Sequence, residues 1–121
     1  MLMRFTTSGI LLLAALTIGG RIATAPLAAT GQDDAVKKGE AVYTAQKCSL
    51  CHSIAGKGNK QNPLDGVGKK LSADDIRQWI THPTDAAAKA KSAKKPPMPD
   101  KYGKLPAADI DALVAYMQSL K

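Results

Sequence analysis

Apolar residues near the carboxyl end recur with helical spacing: Ile110, Leu113, Val114, Met117 and Leu120 fall at 0, +3, +4, +7 and +10. That period places them on one face of an α-helix. Pro106 opens the segment and Asp109 stands in its first turn, where the helix dipole favours an acid. A second helix is predicted from Asp33 to about Lys47, with Val36, Gly39 and Tyr43 on one face and acids at its start. Glycine costs a helix about 1 kcal/mol relative to alanine. Gly39 therefore points to a packing reason, such as close approach by another helix. Between these two lies a shorter helix announced by Ser72-Ala73-Asp74-Asp75, a capping box with Asp in place of the usual Glu. Leu71 and Ile76 are placed as its hydrophobic staple, and Ile76, Trp79 and Ile80 share its inner face. Thr81-His82-Pro83 ends it, because proline disfavours helix in the residue before it.

The connections are long. Ala55 to Gly68 is rich in Gly, Asn and Lys and contains Pro63, the composition of a loop. Asp85 to Lys95 is a low-complexity Ala/Lys stretch that predicts a loose helical turn. It gives way at Lys94-Lys95-Pro96-Pro97-Met98-Pro99, where three prolines stiffen the backbone and forbid regular structure. No strand-like alternation occurs anywhere. The pattern predicts an all-α domain of three main helices.

The amino end has a different pattern. Met1-Leu2-Met3-Arg4 leads into the apolar run Ile10–Ile18, followed by small and polar residues before Gln32-Asp33-Asp34. This is the three-part layout of a secretory signal peptide. A retained anchor is the competing reading, but the run falls short of the ~20 residues a spanning helix needs, and Arg21 interrupts it. Ala23-Thr24-Ala25 is followed by Pro26, which suits a peptidase poorly, whereas cleavage after Ala29-Thr30-Gly31 leaves Gln32 as the first residue. Residues 1–31 are therefore expected to be removed, leaving 32–121 as one exported domain, in the periplasm or an equivalent compartment.

Composition sharpens this picture. Aromatic residues are only 4% of the chain, so a prosthetic group that fills the centre would supply what side chains do not. Formal charge is +7. Loss of Arg4 and Arg21 with the leader leaves fifteen Lys and Arg against ten Asp and Glu. The lysines gather at Lys57, Lys60, Lys69 and Lys70 and along Lys89, Lys91, Lys94, Lys95, Lys101 and Lys104. They serve either as a solvated surface or as a positive ring that steers acidic partners. No aromatics are interleaved for stacking on bases, which argues against nucleic acid.

The candidate chemistry lies in Cys48-Ser49-Leu50-Cys51-His52. C-x-x-C-H is the attachment signature of c-type haem. On a helical turn, residues three and four apart share a face, so both thiols and the imidazole can reach one porphyrin. Two cysteines in an exported chain ordinarily suggest a disulfide; this spacing and the adjacent histidine argue that both become thioethers. Cys48, Cys51, His52 and His82 also make a four-ligand zinc set on paper, although adjacent Cys51 and His52 would strain a tetrahedral site. A thioredoxin-like motif would need a βαβ context that is absent. Gly56-Lys57-Gly58 and Gly66-Val67-Gly68 are too weak to read as phosphate loops. No paired carboxylates or nucleophile–base set suggests an enzyme.

Taken together, the chain resembles the class I cytochromes c, small monohaem proteins. The marks are Gly39 with Tyr43, Cys48-x-x-Cys51-His52, Asn62-Pro63-Leu64-x-Gly66-Val67, Trp79, Met98-Pro99 and Leu113-Val114-Ala115-Tyr116-Met117. The resemblance spans roughly Asp33 to Lys121. It implies three helices wrapped around one covalent haem c, with Cys48 and Cys51 as thioethers, His52 as proximal iron ligand and Met98 as distal ligand. It further implies that the Pro63 carbonyl accepts the other ring N–H of His52, that Gly39 and Tyr43 meet the last helix near Tyr116, and that Trp79 packs near a propionate. His82 competes with Met98 for the distal position, while Met117 is in phase with a core face and reads as packing. The implied activity is single-electron transfer through Fe(III)/Fe(II) between redox proteins, with a dehydrogenase or reductase as donor and an oxidase or other acceptor. The carrier would be a monomer with no stable membrane insertion. The alternatives are a haem subunit of a dehydrogenase or oxidase complex and, with Met98 displaced, a gas sensor or peroxidase-like protein.

Overall fold

The computed structural model describes the backbone from Leu27 to Lys121 and the side chains from Gly31 onward. The expected apolar leader core lies outside the described residues. Helix α1 spans Leu27–Ala45, six residues longer at its start than the acids at Asp33 and Asp34 suggested. The expected cleavage position after Gly31 therefore falls inside it. A left-handed Lys47 (φ 55°) turns the chain into a single 3-10 turn, Cys48–Leu50. A two-residue hairpin follows, β1 (Ser53–Ile54) pairing antiparallel with β2 (Lys57–Gly58). Two residues per strand are too few to leave an alternating pattern, so the sequence did not announce it. Helices α2 (Val67–Lys70), α3 (Ala73–Thr81) and α4 (Pro83–Lys89), a 3-10 turn at Asp100–Lys104 and α5 (Ala107–Ser119) complete the chain. The architecture is all-α, as expected. Among the described residues no helix is long and apolar enough to cross a membrane.

Helices α1 and α5 make the principal packing of the molecule, and Gly39 is its reason. A Cβ at this position would overlap the Ala112 carbonyl and stand 2.5 Å from Tyr116 Cβ. One turn on, the Tyr43 and Tyr116 rings meet edge to face, with centroids 5.8 Å apart and planes at 70°, a favoured aromatic geometry. Tyr43 joins Ile76, Ile80, Ile110, Leu113, Val114 and Met117 in one buried cluster. Each large aliphatic side chain so buried contributes about 1.5–3 kcal/mol. The pairs Lys38–Asp109 at 3.4 Å, with Asp109 half-buried, and Arg77–Asp111 at 2.6 Å lie at the surface, and pairs of that kind contribute about 1 kcal/mol at most.

Helix α3 begins as its sequence predicts. Ser72 Oγ accepts from the Asp75 amide at 3.1 Å and donates to the Asp75 carboxylate at 2.8 Å. Asp thus closes the box through the serine hydroxyl, being one methylene shorter than Glu. His82 separates α3 from α4, and Pro83 occupies the first position of α4, where its missing N–H costs nothing. Pro83 therefore starts a helix as well as ending one. Helix α2 caps the far end of α5: the Gly68 amide donates to the Leu120 carbonyl at 2.9 Å, and Gln118 Nε2 donates to the Leu71 carbonyl at 2.9 Å.

Candidate functional site

The 3-10 turn sets the Cys48 motif. The Cys51 and His52 amides both donate to the Cys48 carbonyl, at 3.1 and 3.0 Å, which brings the three chemically active residues into one turn. Both thiols are free; Cys48 is half-buried and Cys51 exposed. Burial raises the Cys48 thiol above its ordinary pKa, with the neighbouring Cys51 adding to the effect. Among the described residues, no three His, Cys, Asp or Glu side chains gather to hold a metal ion.

His52 is half-buried, and its Nδ1 lies 3.1 Å from the Asn62 carbonyl. A carbonyl only accepts, so Nδ1 carries the proton and Nε2 keeps its lone pair free. Burial is the main force that lowers the His52 pKa; the Asn62 bond opposes it, and nearby Lys94 reinforces it. The ring is therefore a neutral donor of fixed tautomer. The expectation for Pro63 needs correcting here, since the partner is the carbonyl one residue earlier. Pro63 itself lies in a parallel bridge with Ser53, whose amide bonds Asn62 O and whose carbonyl receives the Leu64 amide. That clamp turns the Asn62 carbonyl toward the imidazole.

The loop that follows is built around the motif's backbone. The Asn59 amide donates to the carbonyls of Ser49 and His52, both at 3.0 Å. Asn59 Nδ2 reaches Leu50 O at 3.2 Å and Asn62 Nδ2 reaches Cys51 O at 3.1 Å. Gly58 takes φ +103°, and a Cβ there would run into the His52 carbonyl. Sequence reasoning gave no such role to Asn59, Asn62 or Gly58, although Asn62 stood among the marks of the resemblance and Gly58 in a glycine pair set aside as a phosphate loop. The available signal was Asn and Gly in a loop next to the motif, residues that bond backbone groups locally or tolerate positive φ.

Met98 is half-buried between Pro97 and Pro99. Its segment is tethered at two ends. Lys94 Nζ donates to Gln61 O at 2.9 Å, in the loop after the motif. Gly103 presses on the Thr81 carbonyl at the end of α3, so closely that a Cβ would stand 2.6 Å from that oxygen. The competing candidates sit elsewhere. His82 is exposed, with Nδ1 2.8 Å from Thr81 Oγ1, and Met117 is buried in the α5 core face. Trp79 is half-buried and lines a groove with Leu71, Gln78 and Ala86, its rim crossed by the Lys89–Asp75 pair at 3.1 Å.

Two further observations bear on what this region holds. Cys48 of the cysteine turn, Ile54, Leu64, Val67, Leu71, Tyr102 and Leu105 are among the apolar side chains that pack against the core yet remain only half-covered, so the core is not closed over by side chains alone. In addition, Tyr43 Oη is buried without a hydrogen-bond partner. An unpaired buried hydroxyl costs about 1–3 kcal/mol. A large apolar group attached at Cys48 and Cys51 would cover apolar surface of this kind, so the residues present fit a covalently attached haem.

The family model for cytochrome c matches residues 36–121. The chain belongs to the cytochrome c family. No curated protein and no solved structure matches it. As a cytochrome c it is a haem c electron-transfer protein that works with redox partners, and its two cysteines, Cys48 and Cys51, are those available for covalent attachment. The match begins at Val36 and takes in Gly39, Tyr43, the cysteine turn, Met98 and all of α5. The helices of this cytochrome c thus position a turn and a loop: α1 and α5 form the rigid crossing, and the chemistry hangs from the segments between them.

Proposed function

We propose that this cytochrome c is an exported monohaem carrier with His52 and Met98 as axial ligands, moving single electrons between larger redox proteins. The observation that carries the reading is the His52 ring, neutral and held by the Asn62 carbonyl with Nε2 unprotonated beside two free thiols. The haem iron, when bound, supplies the one-electron change. Cys48 and Cys51 fix the group to the turn. Asn62 sets the donor strength of His52 by holding its Nδ1 proton. Met98 would offer the haem a thioether, a soft donor that raises the potential and favours ferrous iron. The stiff prolines on either side hold it in place. Trp79 would lie near a propionate.

Were His52 and Met98 both to hold the haem iron, they would leave it no position for a substrate, which supports a carrier rather than an enzyme. Lysines 57, 60, 69, 70, 89, 91, 94, 95, 101 and 104 are all exposed. They steer acidic redox partners, a donor dehydrogenase or reductase and an acceptor such as an oxidase, into small, short-lived encounters that weaken with salt. The carrier is a monomer of the periplasm. Cleavage after Gly31 would trim the start of α1 and leave Gly39 and Tyr43, its packing residues, in place.

The Met98→Ala variant tests the ligand assignment. The reading expects the reduced variant to bind carbon monoxide and its potential to fall, while His82→Ala leaves both unchanged. An unchanged spectrum in Met98→Ala would move the distal position to another residue.

A further inference from the structure

From Lys91 to Asp100 every residue is exposed except Met98. Packing alone therefore does little to hold this segment. Its backbone does little more: Pro96, Pro97 and Pro99 have no amide hydrogen, and among the described residues no backbone hydrogen bond joins 93–98 to the rest of the chain. The last bond before it runs from the Ser92 amide to Ala87 O at 2.9 Å. The prolines make the segment stiff, but a stiff segment without an anchor moves as a unit. Among the described residues one hydrogen bond leaves 93–98, from Lys94 Nζ to the Gln61 carbonyl at 2.9 Å. Its acceptor is itself fixed. The Gln61 amide bonds Asn59 Oδ1 at 3.0 Å, and the next carbonyl along, that of Asn62, receives the proton of His52 Nδ1 at 3.1 Å. On the far side of Met98 the chain is next caught where Gly103 presses on the Thr81 carbonyl.

We infer that Lys94 is a positioning residue for Met98: its ammonium ties the Met98 segment to the loop that holds His52, so that the two ligand-bearing segments stay at a fixed separation. The inference rests on the reading of Met98 as distal ligand. A thioether is a weak, neutral donor, and its hold on the iron depends on how far its segment can drift. Lys94 limits that drift on the amino side of Met98, and the Gly103 contact limits it on the carboxyl side. The ammonium supplies up to three donors and the carbonyl only accepts, so the bond is charge-assisted. Lys95, next in the chain, is also exposed and does not share it. Lys94 thus differs from its neighbour in more than charge. It acts through Met98 and does not touch the iron.

The test is imidazole binding to the oxidised, haem-loaded protein, followed by optical titration, because imidazole competes with Met98 for the distal position and so reads how firmly Met98 is held. Lys94→Met keeps the length and the apolar stem and loses the donor. It should bring half-saturation to an imidazole concentration about fivefold lower, the size expected of one exposed, charge-assisted hydrogen bond. Lys95→Met removes the same charge one residue away and should titrate as wild type. In a Met98→Ala background, where no thioether is left to hold, Lys94→Met should change nothing, and that non-additivity is what a general loosening of the fold would not produce. An unchanged midpoint in Lys94→Met, an equal shift in Lys95→Met, or a full shift that persists in the Met98→Ala background overturns the inference. If Met98→Ala by itself leaves imidazole binding unchanged, the underlying reading of Met98 fails instead, so the two failures are distinguishable.

Discussion

Replacing Gly39 by alanine adds one methyl group in a helix, a change that normally stabilises by about 1 kcal/mol. Here the sign should reverse. The new Cβ would overlap the Ala112 carbonyl oxygen and lie 2.5 Å from Tyr116 Cβ and 2.7 Å from the Ala112 carbonyl carbon. Ordinary carbon contacts sit at about 3.5–4.0 Å, so α1 and α5 must part by roughly 1 Å. Two of the three obstructing atoms are backbone, which cannot rotate away. A gap of that size forfeits about a quarter to a half of the dispersion well at each affected contact, along the crossing that buries Tyr43, Leu113 and Val114. Overpacking costs of this kind run to about 3 kcal/mol. After the propensity gain, the net loss should be about 2 kcal/mol, or roughly 8–16 °C in Tm for a domain of this size. Denaturant unfolding of the haem-loaded protein, followed by helix circular dichroism and by the fluorescence of Trp79, the one tryptophan, measures it. Ala41→Gly, exposed on the same helix, calibrates propensity alone and should cost about 1 kcal/mol. A Gly39→Ala variant as stable as wild type, or more so, would refute the claim that close backbone approach organises this fold.

Other outcomes follow from the same geometry. Gly58→Ala forces a side chain into φ +103° and against the His52 carbonyl; the strain of about 1–3 kcal/mol should appear as less haem incorporated per chain, and undiminished loading would contradict it. Ser72→Ala removes the α3 cap and should lower unfolding free energy by about 1 kcal/mol. Separately from the cap, the Ser72 hydroxyl and then Lys89 depress the Asp75 pKa, so the stability linked to that carboxylate is present above the ordinary carboxylate range and is lost as pH falls through the depressed value. Acid titration should therefore be less steep in Ser72→Ala than in wild type. At the alkaline end the sign is opposite: Tyr43 is raised from 10.0 to about 12, so its contribution is complete below pH 10 and is lost as pH rises through 12. Tyrosinate absorbance should show one phenol ionising only as the fold opens, and early, reversible ionisation of Tyr43 would contradict its burial.

Features that depend on period or on capping chemistry were legible in the residues. The i, i+3, i+4 series from Ile110 marks α5, Ser72 with Asp75 marks α3, and Gly39 four residues before Tyr43 marks the crossing, because each signals through its own neighbourhood in sequence. What escaped depends on tertiary placement. The start of α1 at Leu27 lies six residues ahead of the acids at Asp33 and Asp34, and Ala28-Ala29-Thr30-Gly31 is as compatible with a peptidase site as with a helix. The choice of Asn62 over Pro63 as the imidazole's partner turns on a single peptide orientation set by the Ser53 bridge. The contact of Gly103 with Thr81 joins segments more than twenty residues apart. The orphaned Tyr43 hydroxyl is invisible in sequence, where tyrosine in an apolar stripe reads only as core.

The most direct test of the account is an optical spectrum of the exported protein, oxidised and reduced, with and without carbon monoxide, alongside the mass of the denatured chain. The account predicts haem that stays with the chain on denaturation, through Cys48 and Cys51, and a ferrous spectrum indifferent to carbon monoxide. A chain whose mass shows no attached haem would contradict it at the root, and a prompt shift with carbon monoxide would show an open iron and remove Met98 from its place.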